Sequence, residues 1–433
     1  MARRTFSLSH LIVLAVLALA SFTSADAQTE SVIHSFQSSS VFDGKVPLSG
    51  VVADNKGALY GVTAQGGKYG PGVVYKLAPP AAPGGVWKQN ILYSFTAGDD
   101  GYGPSGSLVL TKGHKIYGTT QAGGLHGAGT VYELSPPTQV GGPWTETVLY
   151  NFTGGTDGGE PAYGVIADSR GALYGTTVKG GHSNGGVAFR LSPPAQLGDV
   201  WTERVLYSFT LGSGGELPYA GGLVLGASGA LYGTTGYTDT VFQLSPPSGG
   251  SGPWTENVLY TFTTNDGGFL PAGTLTFDSA GDLYGVTVLA GQYGNGVVYE
   301  LEPPATQGGD WTESVLYSFS QGSDDGAYPE TGVIFDSSGA LYGTTYQGGD
   351  GACSAEGPGC GTVFKLTPPA TQGGPWAESF LYSFQGGSDG AYPAAPVFLF
   401  GTSLYGTTWM GGTGICEVQQ GQLGCGTIFQ ITQ

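Results

Sequence analysis

Gly332-Val-Ile-Phe-Asp336, Ala340-Leu-Tyr-Gly-Thr-Thr345, Gly361-Thr-Val-Phe-Lys-Leu366 and Trp376-Ala-Glu-Ser-Phe-Leu-Tyr-Ser-Phe384 are four short segments bounded by Gly, Pro, Asp and Ser. Each is rich in β-branched and aromatic residues and reads as a strand. The quartet returns about every 57 residues, and an internal repeat of that length outranks local signals when a fold is read. Its Leu/Ile-Tyr-Gly signature falls at Tyr60, Tyr117, Tyr174, Tyr232, Tyr284, Tyr342 and Tyr405. The phenylalanine that closes the last segment falls at Phe36, Phe95, Phe152, Phe209, Phe262, Phe319 and Phe384. Seven copies of four short strands predict an all-β chain, a seven-bladed β-propeller of four-stranded blades.

Composition agrees. The chain has 433 residues, 80 of them Gly, and only 11% are charged. The glycines show no three-residue period, which excludes collagen, and 40% apolar content is enough to build a core. Turns joining the first two strands read Asp54-Asn-Lys-Gly57, Asp168-Ser-Arg-Gly171, Asp278-Ser-Ala-Gly281 and Asp336-Ser-Ser-Gly339. Asp bonds nearby N–H groups and Gly accepts positive φ, so these aspartates read as turn formers rather than as acids or ligands.

The two ends are complementary in phase. Gln28-Thr-Glu-Ser-Val-Ile-His-Ser-Phe36 matches the outer-strand segment Trp311-Thr-Glu-Ser-Val-Leu-Tyr-Ser-Phe319 without its tryptophan, and Gly426-Thr-Ile-Phe-Gln-Ile431 is a third strand. The N-terminal strand is therefore expected to complete the last blade, hiding two edges that would otherwise aggregate. Ahead of it, Arg3 and Arg4, an apolar stretch Leu11–Ala20 and Ala25-Asp26-Ala27 have the layout of an export signal. Residues 1–27 are expected to be cleaved and residues 28–433 to form the propeller, secreted or periplasmic, with no membrane span.

The unit Gly-x-Leu-x-x-Asp-x-x-Gly-x-Leu-Tyr-Gly-Thr-Thr…Gly-Thr-Val-Phe-x-Leu resembles the GloVer tandem repeat of secreted bacterial proteins, over essentially residues 29–433. Its first two strands also resemble NHL-type propeller repeats. The resemblance implies a propeller on an exported bacterial protein and carries over no catalytic residue. GloVer proteins often end in a sorting tail. Here a strand runs to the last residues, and free release or periplasmic residence is expected.

Function is sought where the copies differ. The loop between strands two and three shrinks to Gly236-Tyr237-Thr238-Asp239 in the fourth blade. In the sixth and seventh it lengthens and carries Cys353, Cys360, Cys416 and Cys425. Four cysteines allow three pairings. Location favours Cys353–Cys360 and Cys416–Cys425 in an oxidising compartment, and spacings of seven and nine do not suit a zinc site. Lys68, His126, Lys179 and His182 make a basic sector on blades one to three, against Asp350, Glu356 and Glu417 on blades six and seven.

Lys68, His126, Lys179 and His182, with Tyr237 and Asp239, are the candidate binding set of a non-enzymatic scaffold for an extracellular glycan or protein ligand. The alternative is a glycan-active enzyme, a polysaccharide lyase or glycoside hydrolase, with His126, His182 and Lys179 as its base-and-cation cluster. No G-x-S-x-G elbow, HExxH helix, P-loop or dinucleotide fingerprint appears. Loops Asp43-Gly, Asp100-Gly, Asp157-Gly, Asp266-Gly, Asp325-Gly and Asp389-Gly, with Gly215-Glu216 in the fourth copy, read first as turns. They also offer the oxygen donors Ca²⁺ takes, and no other cofactor is expected. A net charge of −18 disfavours nucleic acid and anionic surfaces. A monomer is expected. The tryptophan row Trp87, Trp144, Trp201, Trp254, Trp311 and Trp376 is expected to pack between blades.

Overall fold

The computed structural model describes residues 29–37, 42–82, 84–196, 199–210, 221–236, 238–250, 252–263, 268–306, 308–353, 359–371, 373–416 and 424–432. The expected leader, Tyr237, Glu216, Asp266, Glu356 and Glu417 lie outside them. Seven four-stranded antiparallel sheets account for the repeats, and no helix occurs among the described residues. In the sixth blade Ile334–Phe335, Leu341–Thr345, Thr362–Thr367 and Ala377–Ser383 run from first strand to last in chain order. The other blades repeat this arrangement as a seven-bladed β-propeller.

The signature residues divide the labour. All five residues of Leu341–Thr345 are buried. The Tyr342 hydroxyl donates to Asp336 Oδ2 at 3.0 Å, while Asp336 Oδ1 accepts the N–H groups of Ser338 and Ala340 at 2.8 and 3.0 Å. Tyr60 with Asp54 and Tyr174 with Asp168 repeat the motif. Gly343 follows because a Cβ there would sit 2.5 Å from the Phe364 ring on the neighbouring strand. The turn aspartates are thus structural, as their periodicity predicts.

Aromatic rings bind blade to blade. Phe95, at the end of the first blade's outer strand, meets Tyr132 of the second at 5.2 Å, edge to face. The same contact recurs in Phe152–Phe189, Phe209–Phe242, Phe262–Tyr299, Phe319–Phe364 and Phe384–Phe429. Such a pair adds about 0.5–1.5 kcal/mol beyond the area it buries. Tryptophans of the row pack across junctions as expected, Trp87 on Tyr405, Trp201 on Tyr117 and Trp376 on Tyr284.

A β-bulge sits at one place in every outer ladder, as between Val363 and Phe364 or Val131 and Tyr132. It re-aims the extra residue, so the apolar run Val-Leu-Tyr-Ser-Phe owes its irregular pattern to the bulge as well as to two-sided packing.

The ring closes as the phase of its ends requires. Thr29–Ser35 pairs antiparallel with Thr427–Thr432 and becomes the outer strand of a blade begun by Phe398–Phe400 and Ser403–Thr408. Phe36 is fully buried and meets Tyr75 of the first blade at 5.4 Å. Around the axis the first strands approach backbone to backbone, with Ser107 bridged to Gly164 of the next blade.

Candidate functional site

Antiparallel blades place the loops between strands two and three on one face, together with those joining an outer strand to the next blade. The pairing of Gly44–Lys45 with Gln65–Gly66 shows the two sets in contact. A repeated hydrogen bond ties successive blades there. Val46, Gly103, Glu160, Tyr328 and Tyr392 each donate their N–H to a carbonyl of the preceding blade: Cys425, Pro71, Ala128, Asn295 and Cys360, at 2.8–3.0 Å. Each donor has positive φ and stands directly before a proline. In the fourth blade the loop is short, and no carbonyl among its described residues accepts the corresponding N–H. The Asp239 carboxylate takes that role, accepting Leu270 N–H at 2.8 Å. Asp239 is buried and burial raises its carboxyl above the ordinary range, so its observed partner is the next blade.

Both disulfides form as location favours, Cys353–Cys360 and Cys416–Cys425. Cys360 holds the carbonyl that anchors Tyr392, and Cys425 the one that anchors Val46. They therefore brace the two junctions flanking the blade that closes the ring.

The basic residues stand apart from one another. Lys68, His126, Lys179 and His182 are all exposed, one or two to a blade. Lys179 Nζ pairs with Glu160 at 2.7 Å and Lys68 Nζ lies 5.0 Å over the Tyr69 ring. Among the described residues no hydrogen bond or ion pair joins any of the four to another. The Asp-Gly aspartates are wedged between successive outer strands, where Asp100 accepts Thr96 N–H at 2.8 Å and Asp325 accepts Ser320 N–H at 2.7 Å. No group of three His, Cys, Asp or Glu among the described residues is placed to share a metal ion.

Comparison of equivalent positions isolates a different cluster. The residue that follows the Tyr-Gly-Thr/Val-Thr signature of strand two is Ala64, Gln121, Val178, Gly236 and Val288 in blades one to five, but Tyr346 and Trp409 in blades six and seven. Tyr392, the loop-anchoring residue of the seventh blade, completes an aromatic wall. Tyr346 stacks on Tyr392 with centroids 4.9 Å apart, and its plane lies 29° from that of Trp409 at 6.4 Å. Tyr346 and Trp409 remain half-buried and reachable from solvent. Burial raises the Tyr346 hydroxyl, and the exposed Glu330 carboxylate beside it adds to the rise. Glu330 lies two residues ahead of Gly332, whose backbone abuts Thr274 of the neighbouring first strand. The wall therefore flanks the entrance to the axis. A register-by-register comparison of copies finds this cluster in sequence, whereas a search for charged residues passes over it.

A family model described as Gloeobacter/Verrucomicrobia repeat matches residues 18–240 and 235–433. No curated protein matches the sequence. Among solved structures, virginiamycin B lyase from Staphylococcus aureus is 13% identical, covers 94% of this chain and 99% of its own, and superposes with a TM-score of 0.51. PQQ-bound aldose sugar dehydrogenase from Streptomyces coelicolor is 14% identical over 76% of this chain and 93% of its own, with a TM-score of 0.45. A protein of unknown function from Dyadobacter fermentans is 12% identical over 94% of this chain and 100% of its own, with a TM-score of 0.44. At these identities the likeness bears on the fold alone.

Proposed function

The chain belongs to the Gloeobacter/Verrucomicrobia repeat family, and on that premise we propose that it is a secreted, non-enzymatic binding module for an extracellular glycan. The ligand occupies the aromatic wall of blades six and seven. One observation carries this reading: Tyr346 and Trp409 depart from the non-aromatic residues that serve the same register elsewhere. Packing in five blades needs no ring there, so the rings answer another demand. Flat aromatic faces cover the C–H face of a sugar ring, and Glu330 and the tyrosine hydroxyls supply partners for its hydroxyls. The flanking disulfides support an oxidising compartment. Lys68, His126 and His182 lie on the same face and extend the surface that a longer chain would cross.

Catalysis by His126, His182 and Lys179 would need a base and a cation held together over one substrate. Their separate placement and the Lys179–Glu160 pair favour binding. The test is a glycan array probed with the chain lacking residues 1–27 and with its Trp409→Ala and Tyr346→Ala variants. Selective capture is expected, weakened about tenfold or more in either variant, as for a buried aromatic anchor. Capture that both variants retain in full would remove the wall from the account.

A further inference from the structure

The second residue of the outer strand is a glutamate in six blades, at Glu30, Glu146, Glu203, Glu256, Glu313 and Glu378, and a glutamine, Gln89, in one. Gln89, Glu30, Glu146, Glu203 and Glu378 each lie at a junction beside the loop aspartate of the preceding outer strand. The odd copy shows the geometry directly: Gln89 Nε2 donates to Asp43 Oδ1 at 2.8 Å.

The aspartates are committed acceptors. Asp43 takes the N–H groups of Gln37 and Gly44 at 2.8 and 2.7 Å. Asp100 takes Thr96 N–H and the Tyr93 hydroxyl at 2.8 and 3.1 Å. Asp157 takes Thr153 N–H and the Tyr150 hydroxyl at 2.9 and 3.0 Å. Asp325 takes Ser320 N–H and Gly326 N–H, both at 2.7 Å. Asp389 takes Gln385 N–H and the Tyr382 hydroxyl at 2.6 and 2.8 Å. Donors therefore occupy these carboxylates, and in Asp157 burial is outweighed by the Thr153 and Tyr150 hydrogen bonds, which hold the carboxyl below its ordinary range.

The facing glutamates have less support, the Tyr382 hydroxyl beside Glu30 being one donor that reaches them. Oε1 of Glu30, Glu146 and Glu203 is buried without a hydrogen-bond partner among the described residues. In the fourth blade, whose loop has Gly215-Glu216 in place of Asp-Gly, the Tyr207 hydroxyl goes to Glu256 instead, at 2.7 Å.

Two carboxylates side by side and largely out of water cannot both ionise cheaply, and the one with fewer donors keeps its proton. We propose that Glu30, Glu146, Glu203 and Glu378 are proton-binding sites at four blade junctions, filled in acidic surroundings and emptied above neutrality, so that acidification tightens the ring. Gln89 is the same station made permanently neutral.

The groups facing each station are few. Glu30 meets Asp389 and Tyr382; Glu146 meets Asp100, Tyr93 and Tyr132. Glu203 meets Asp157 and Tyr150; Glu378 meets Asp325, Asp324 and Tyr317. No ion pair reaches any of the four among the described residues. Burial first, and the facing aspartates second, push each of the four carboxyls up to about 7 from an ordinary 4.5.

The sign follows by linkage. Between pH 4.5 and about 7 the folded chain holds protons that the unfolded chain has lost, so stability falls as pH rises through that window and levels off above it. Thermal unfolding of the full chain without its leader, from pH 4.5 to 8, reads this out. Each of Glu30→Gln, Glu146→Gln, Glu203→Gln and Glu378→Gln is expected to leave the midpoint unchanged at pH 4.5 and raise it by about 2 °C or more at pH 8. Gln89→Glu is expected to lower the midpoint at pH 8 alone. A glutamine variant whose midpoint moves equally at both pH values, or a Gln89→Glu loss already complete at pH 4.5, would overturn the proposal.

Discussion

Removing residues 28–36 is expected to cost the ring its cooperative fold and most of its soluble yield. Three losses coincide. The ladder from Thr29–Thr432 to Ser35–Thr427 disappears and leaves Thr427–Thr432 as a bare edge, which invites pairing with another chain. Phe36, fully buried against Tyr75 and the half-buried Ile33 of the same strand, is worth about 3–5 kcal/mol by the usual cost of truncating a core phenylalanine. The Phe36 N–H to Gly426 carbonyl bond at 3.1 Å goes as well. Together these approach the whole stability of an ordinary domain, about 5–15 kcal/mol. Thermal melts followed by size-exclusion chromatography decide it: an early, aggregating transition is expected. A truncated chain that melts with the parent's midpoint as a monomer would show that the ring does not depend on its closing strand.

The axis is equally unforgiving. Gly273 has φ +71, and a Cβ there would stand 2.0 Å from Gly332 N and 2.4 Å from Thr331 C, both backbone atoms of the next blade. Backbone cannot step aside, so Gly273→Val is expected to yield no folded protein. Gly171→Ala is the matched control. That turn glycine has φ +82 with nothing within 4 Å, leaving only a conformational cost of about 1–2 kcal/mol. Circular dichroism and soluble yield should separate the two variants sharply. If Gly273→Val folds and melts beside Gly171→Ala, the first strands are not in backbone contact around the axis.

What could be read without coordinates was whatever repeats. Seven tyrosine–glycine signatures, the matching phase of Gln28–Phe36 and the short cysteine spacings led to blade number, closure and disulfide pairing, because each is a local pattern with one economical solution. Roles created by contact between blades were not legible in the same way. Asp239 reads as a binding residue in a divergent loop, and in the structure its carboxylate accepts Leu270 N–H where five other junctions use a backbone carbonyl. The Asp-Gly carboxylates, which read as turn formers that also offer oxygen donors, give those oxygens to their own turns and to tyrosines of the outer strands. Lys68, His126, Lys179 and His182 share a face, and no hydrogen bond or ion pair joins one to another among the described residues. Tyr346 and Trp409 were overlooked for the opposite reason: aromatic residues are common throughout the chain, and only alignment of the seven registers shows that these two have no counterparts.

The central claim is that this face binds without turning its ligand over. It is tested most directly by incubating the chain, without residues 1–27, with whichever glycans the array captures and with uronate-containing polysaccharides. Shortened chains, new reducing ends or unsaturated ends are then measured beside His126→Ala, His182→Ala and Trp409→Ala. Intact glycan in every incubation is expected, with capture lost only in Trp409→Ala. Cleavage by the parent that vanishes in either histidine variant would contradict the account and make the protein a glycan-active enzyme.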